Sequence, residues 1–153
     1  MSDFTAGAGG DIFDWDTTLS NNTTTTIGAA AADLTTAAYL GTTISNTVIT
    51  GGATTLGIFE FMGASLGAGN DIIVGTTTSA TIEGWAATAL ATVAHTATDN
   101  MLFVMYDSGG VTSTAAIFEF TANATTSGID ATELQLVAVA DVTQDALTFD
   151  NFI

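Results

Sequence analysis

Short runs of apolar residues, some continuous and some alternating with polar ones, recur along the chain at lengths typical of β-strands. Thr43–Thr50 and Thr55–Phe61 flank Gly51-Gly52, and Met101–Tyr106 and Val111–Phe120 flank Asp107-Ser-Gly-Gly110. Glycine-rich connectors of this length between β-rich runs predict two hairpins. Further strands are predicted at Ile12–Trp15, Glu133–Ala140 and Ala146–Ile153. Two Ala-rich stretches interrupt the pattern, Ala29–Leu40 and Glu83–His95. In the second, Trp85, Ala89 and Val93 fall at i, i+4 and i+8, with Ala86, Leu90 and Ala94 beside them, the spacing of a helix face. The interspersed Thr residues weaken helix propensity through β-branching. The Thr-rich stretches Asn21–Thr26 and Thr76–Thr81 are predicted as surface loops or exposed strands.

The pattern repeats. Ile58-Phe-Glu-Phe61 recurs as Ile117-Phe-Glu-Phe120, with similar Gly-Gly-x-Thr sequence ahead of each copy. Asp71 follows Phe61, and Asp130 follows Phe120, at the same spacing, each with a glycine two residues before it, Gly69 and Gly128. A related piece, Gly9-Gly-Asp11, lies near the start. Concordant spacing on both sides of the four-residue match points to an internal duplication. Strand alternation sends the two Phe of each copy to one face, the core, and Ile and Glu to the other, where Glu60 and Glu119 are expected to meet solvent. The predicted fold class is mainly β, a β-rich α+β single domain. In it, two modules of acidic turn, strand, short helix and β-hairpin (roughly residues 5–64 and 65–123) pack as a two-layer, sandwich-like structure, with C-terminal strands over about 124–153.

Composition narrows the functions open to such a domain. Of 153 residues none is Lys or Arg, 16 are Asp or Glu and one is His, a formal net charge of −16. Nothing in the chain can neutralise phosphate, so neither nucleic acid nor an anionic membrane surface is an expected partner. With 47% apolar residues the chain has material for a core, unlike a disordered acidic tail. Every carboxylate must therefore be dispersed, hydrated, hydrogen-bonded to backbone N–H groups, or neutralised by an external cation. No Cys is present, which removes disulfides, thiol catalysis and thiolate metal sites. No apolar run approaches a membrane span. The opening MSDFTAGAGG has neither a basic nor an apolar region, so export through an N-terminal signal is not expected.

Ala6-Gly-Ala-Gly-Gly-Asp-Ile-Phe13 and Leu66-Gly-Ala-Gly-Asn-Asp-Ile-Ile73 share the template x-G-A-G-x-D-I-[FI]. Glycines in such a turn permit positive φ, Asp adds a hard oxygen ligand suited to Ca²⁺, and the apolar residue two positions after Asp is expected to pack inward. The template resembles the nonapeptide of RTX calcium-binding proteins, with Ala6 and Leu66 in place of its first glycine. In that family adjacent turns share each ion. The copies here lie about 60 residues apart, so each supplies half a site unless the fold or a second subunit joins them. The candidate Ca²⁺ ligands are Asp11, Asp14, Asp16, Gly69, Asn70, Asp71, Asp107 and Asp130, with Asp99-Asn100 as further candidates. The ending Phe149-Asp-Asn-Phe-Ile153 resembles the C-terminal signal of type I-secreted bacterial proteins, and Met101–Phe120 resembles a hairpin of bacterial calcium-associated surface proteins. These resemblances imply an extracellular, cell-surface location reached without an N-terminal signal.

Catalysis is not expected. The single His95 sits on an Ala-rich stretch, no nucleophile motif accompanies it, and a carboxylate pair drawn from Glu60 and Glu119 is the one formal hydrolase arrangement. The sequence reads instead as a self-assembling structural subunit of a surface filament, sheet or coat stabilised by Ca²⁺, with other copies of itself as partner. The alternative is a Ca²⁺-dependent adhesin or carbohydrate-binding module with an extracellular glycan as partner; the Thr clusters lack the fixed period of an ice-binding ladder.

Overall fold

The computed structural model describes residues 10, 57–61, 63–91, 93, 100–108, 112–123 and 128–143. The predicted strands at Ile12–Trp15, Thr43–Thr50 and Ala146–Ile153, and the Ala-rich stretch 29–40, lie outside these residues. The fold is mainly β, one four-stranded mixed sheet and, among the described residues, one short helix. In chain order the elements are β1 (Gly57–Phe61), α1 (Ser79–Ala89), β2 (Asn100–Tyr106), β3 (Thr112–Thr121) and β4 (Leu134–Thr143). The sheet order follows the chain, β1-β2-β3-β4.

The hairpin predicted around Asp107-Ser-Gly-Gly110 forms: β2 and β3 are antiparallel, with Phe103 opposite Phe118 and Met101 opposite Phe120. β1 is instead parallel to β2, with Phe59 opposite Phe103 and Phe61 opposite Met105. A parallel pair needs a long crossover, and residues 62–99, including α1, supply it. The two IFEF copies thus flank the same central strand, one parallel and one antiparallel to it. β3 and β4 are antiparallel with a register shift at Ile117/Phe118, where Ile117 faces Ala138 and Phe118 faces Leu136, leaving Val137 as the extra residue of a β-bulge.

Opposed residues share a face, and the register sorts the core in two. One face carries Phe61, Phe103, Met105, Ala116, Phe118, Phe120 and Leu134, packed with Ile82, Ala86 and Leu90 of the α1 region. Phe103 meets Phe61 edge-on at 5.3 Å and stacks on Phe120 at 5.1 Å, so an aromatic row ties three strands together. Burying each such ring contributes about 1.5–3 kcal/mol of transfer free energy. Phe61, Phe118 and Phe120 therefore take their expected place in the core, while the Phe59 side chain lies outside the described ones. The other face carries Glu60, Leu102, Val104, Tyr106, Ala115, Ile117 and Glu119, and it is buried as well. Glu60 and Glu119 are only 8% and 5% exposed, which corrects the expectation that they face solvent. Alternation gave their side of the sheet correctly, but the step from polar residue to wet face assumed a one-sided sheet, and here the central strands β2 and β3 are buried on both sides.

The helix is also displaced from its predicted bounds. It starts at Ser79 rather than Glu83, because the Thr78 side chain caps it by accepting from the Thr81 N–H. Thr76–Thr81 is thus not a strand but a turn leading into the first helical turn. The helix stops at Ala89 rather than running to His95. Thr88 Oγ1 donates back to the Gly84 carbonyl, and the carbonyls of Leu90 and Val93 accept from the N–H groups of Ile129 and Gly128. The last carbonyls are satisfied by another segment instead of by more helix. Ile82 and Ala86 are its buried residues, with Trp85, Ala87 and Ala89 packed partly against the core.

Candidate functional site

The acidic turn at Gly67–Asp71 follows the glycine logic of its sequence. Gly67 and Gly69 have φ of 102° and 83°, the left-handed region that side chains other than glycine rarely adopt. The turn is closed by its own bonds. Gly67 N–H donates to the Ala64 carbonyl, Asn70 N–H to the Gly67 carbonyl, and Asn70 Nδ2 to the Leu66 carbonyl at 2.7 Å. It then docks on the end of the β2–β3 hairpin. Leu66 N–H donates to the Tyr106 carbonyl, Tyr106 N–H donates to the Ser65 hydroxyl, and Ser108 N–H donates to the Asn70 carbonyl.

Asp107 is the hinge of this docking. It is buried, and its two carboxylate oxygens divide between two segments: Oδ2 accepts from Ile72 N–H at 3.2 Å and Oδ1 from Thr114 N–H at 3.0 Å. The Thr114 carbonyl in turn accepts from Asp107 N–H. Asp71 stands exposed beside it and accepts from the Ser108 hydroxyl. The sequence-predicted ligands Asn70, Asp71 and Asp107 are therefore gathered at one end of the sheet. The apolar anchor differs from expectation. Ile72 is buried, whereas Ile73, two residues after Asp71, is 60% exposed. The cause is local: Ile72 N–H is drawn in by Asp107, and the Ile73 carbonyl accepts from Thr76 and Thr77 N–H as the chain turns toward α1. The strand predicted after this turn is accordingly absent between Asp71 and α1.

Asp130 occupies a different setting. Its Oδ1 accepts from Thr132 N–H at 2.7 Å and from the Thr132 hydroxyl, while Glu133 reaches back to accept from Asp130 N–H at 3.1 Å and from Asn123 N–H at 3.0 Å. Glu133 reaching back to Asp130 N–H is one half of a capping box, while the Asp130 carboxylate and Thr132 N–H form an Asx turn, at a single turn that feeds β4. Gly128, two residues ahead, has φ of 119° and packs so tightly on the helix end that a Cβ there would lie 2.4 Å from the Ala91 carbonyl oxygen. The Asp71 and Asp130 turns share glycine placement, but one docks on the hairpin and the other on the end of α1. Asp11, Asp14, Asp16 and Asp99 lie outside the described residues.

A wider rule connects these carboxylates. In a chain without Lys or Arg, backbone N–H groups do the work of cations. Asp107 takes two, Glu133 two, Asp130 one, and Glu83 accepts Leu136 N–H at 2.9 Å beside the β4 bulge, tying α1 to β4. Glu60 accepts from the buried Tyr106 hydroxyl. Glu119 differs: burial pushes its carboxyl above the ordinary glutamate value, and among the described residues no hydrogen bond reaches it. Composition signalled that backbone donors were one of the ways to settle these charges, but not which carboxylates would use them; Glu83 and Glu133 carried no motif that singled them out.

No group of three or more His, Asp or Glu side chains converges as a metal cluster among the described residues. Nor is any described helix long and apolar enough to cross a membrane. Compared with protein-family models, with curated proteins and with solved structures, the chain matches none.

Proposed function

We propose that this chain is an extracellular structural subunit that assembles with copies of itself into a surface filament, sheet or coat, with Ca²⁺ bridging carboxylates between copies. One observation carries the reading. The chain bears −16 with no Lys or Arg, and the buried carboxylates of Glu60, Asp107 and Glu133 are bound to its own donors, while Asp71 stands exposed on a docked turn of left-handed glycines. Neutralisation of the surface charge has to come from outside the chain. The Asp71 turn, with Gly69 and Asn70, is half of an RTX-like site, and association of a second copy supplies the other half. Sites of this modest ligand count suit the about 10⁻⁴–10⁻³ M affinities of extracellular calcium modules.

Two duplicated modules, about 5–64 and 65–123, pack in two layers. Burial of the sheet face opposite α1 supports a second layer, because Leu102, Val104, Tyr106 and Ile117 would otherwise expose an apolar surface. Particle size, measured by light scattering and electron microscopy in millimolar Ca²⁺ and in chelator, tests the proposal. Assembly in Ca²⁺ reversed by chelator is expected. A protein that stays monomeric at high concentration in both conditions refutes it, and glycan binding by that monomer would mark it as an adhesin.

A further inference from the structure

Glu119 stands on the sheet face opposite α1, between Leu102 of β2 and Gln135 of β4 in the register. It is 5% exposed, and among the described residues no donor bonds its carboxylate. The other three glutamates of the chain, Glu60, Glu83 and Glu133, each accept a hydrogen bond from a named donor. An ionised carboxylate buried without a partner is strongly unfavourable, and no Lys or Arg exists anywhere in the chain to pair with it. A proton is the one neutralising partner that the described surroundings admit.

We propose that Glu119 is a proton-operated latch of the sheet: with its carboxyl protonated the β2–β3 face is held shut, and ionisation loosens it. The titratable groups that share this face among the described residues are Glu60 on β1 and Tyr106 on β2, which bond each other, and Glu133 ahead of β4, which is committed to Asn123 and Asp130 N–H. Leu102 and Val104 on β2 and Gln135 on β4 carry no charge. None of these groups offers Glu119 a compensating positive charge.

The sign follows from linkage. Burial makes the folded chain hold this proton more tightly than the unfolded chain, whose glutamate titrates at its ordinary 4.5. The stabilisation is complete below that value and is lost as pH rises through the higher folded value. Repulsion among surface carboxylates has the same sign, so the test separates the two. Unfolding is followed against pH for the wild type and for Glu119→Gln, with chelator and about 1 M salt, where the screening length is only about 3 Å. The wild type is expected to lose stability as pH rises above 4.5, and the variant to lack up to one proton's worth of that slope. Identical slopes overturn the proposal. A carbon-13 titration of the Glu119 carboxyl in the wild type is the second measurement, and it decides alone if the variant does not fold. Titration above 4.5 supports the latch, and titration at or below 4.5 overturns it.

Discussion

Replacing Asp107 with Asn keeps the shape of the side chain and removes one of its two acceptors. In the native protein Oδ1 and Oδ2 each hold a backbone N–H, Thr114 at 3.0 Å and Ile72 at 3.2 Å, in a buried setting. Hydrogen bonds to a charged group contribute about 1.5–3 kcal/mol each. The longer bond to Ile72 belongs at the lower end of that range. The amide nitrogen of Asn must face one of the two N–H groups, so one bond is lost and a donor is left against a donor. A loss of about 3 kcal/mol is expected from these terms. For a chain of this size that corresponds to about 6–12 °C in Tm. Urea unfolding reads the free energy, and amide hydrogen exchange at Ile72 and Thr114 locates it, since both protons should exchange faster while those of α1 change less. The loss should be equal in chelator and in Ca²⁺, because the two N–H groups already occupy the carboxylate. A loss below about 1 kcal/mol, the scale of an ordinary neutral hydrogen bond, rules out two charge-assisted bonds at Asp107. So does a loss seen only with Ca²⁺ present, which would make Asp107 a metal ligand first.

Other outcomes follow from single contacts. Gly128→Ala should cost about 2–3 kcal/mol, because it combines a left-handed backbone with a Cβ 2.4 Å from the Ala91 carbonyl oxygen; urea unfolding checks it, and a neutral result contradicts the close approach. Thr78→Ala should remove about 1 kcal/mol by uncapping α1, read as a shift of the urea midpoint with unchanged m-value. Asp71→Asn should leave monomer stability within about 1 kcal/mol, since the side chain is exposed, yet weaken Ca²⁺-dependent assembly as measured by light scattering. Retention of full Ca²⁺ response in that variant removes Asp71 from the bridging site.

How far the sequence could be read depended on whether the deciding partner was near or far along the chain. Strand identity at Met101–Tyr106 and Val111–Phe120 was legible because alternation and the glycine connector are local. The parallel pairing of β1 with β2 was not, since a crossover of nearly forty residues leaves no local mark. The start of α1 is marked in the sequence by Thr78, a capping residue, but the Ala-rich composition that signals helix begins further downstream. Its end is set by Gly128 and Ile129, distant in sequence. The glycine turns came through because positive φ is a property of the residue itself. The fate of the carboxylates did not. Polarity placed Glu60 and Glu119 in water, yet burial of both faces around β2 and β3 overrides the preference of two residues. Asp107 was legible as an acidic residue in a turn, but its commitment to Ile72 and Thr114 depends on docking of a segment some 35 residues earlier.

Neutralisation of this chain by external cations that join its copies is read by sedimentation velocity of the wild-type protein across a Ca²⁺ titration at fixed ionic strength. A cooperative shift from monomer to large species in the millimolar range is expected, reversed by chelator and not reproduced by monovalent salt of equal ionic strength. A single monomeric boundary throughout the titration, or the same shift with monovalent salt alone, would contradict it.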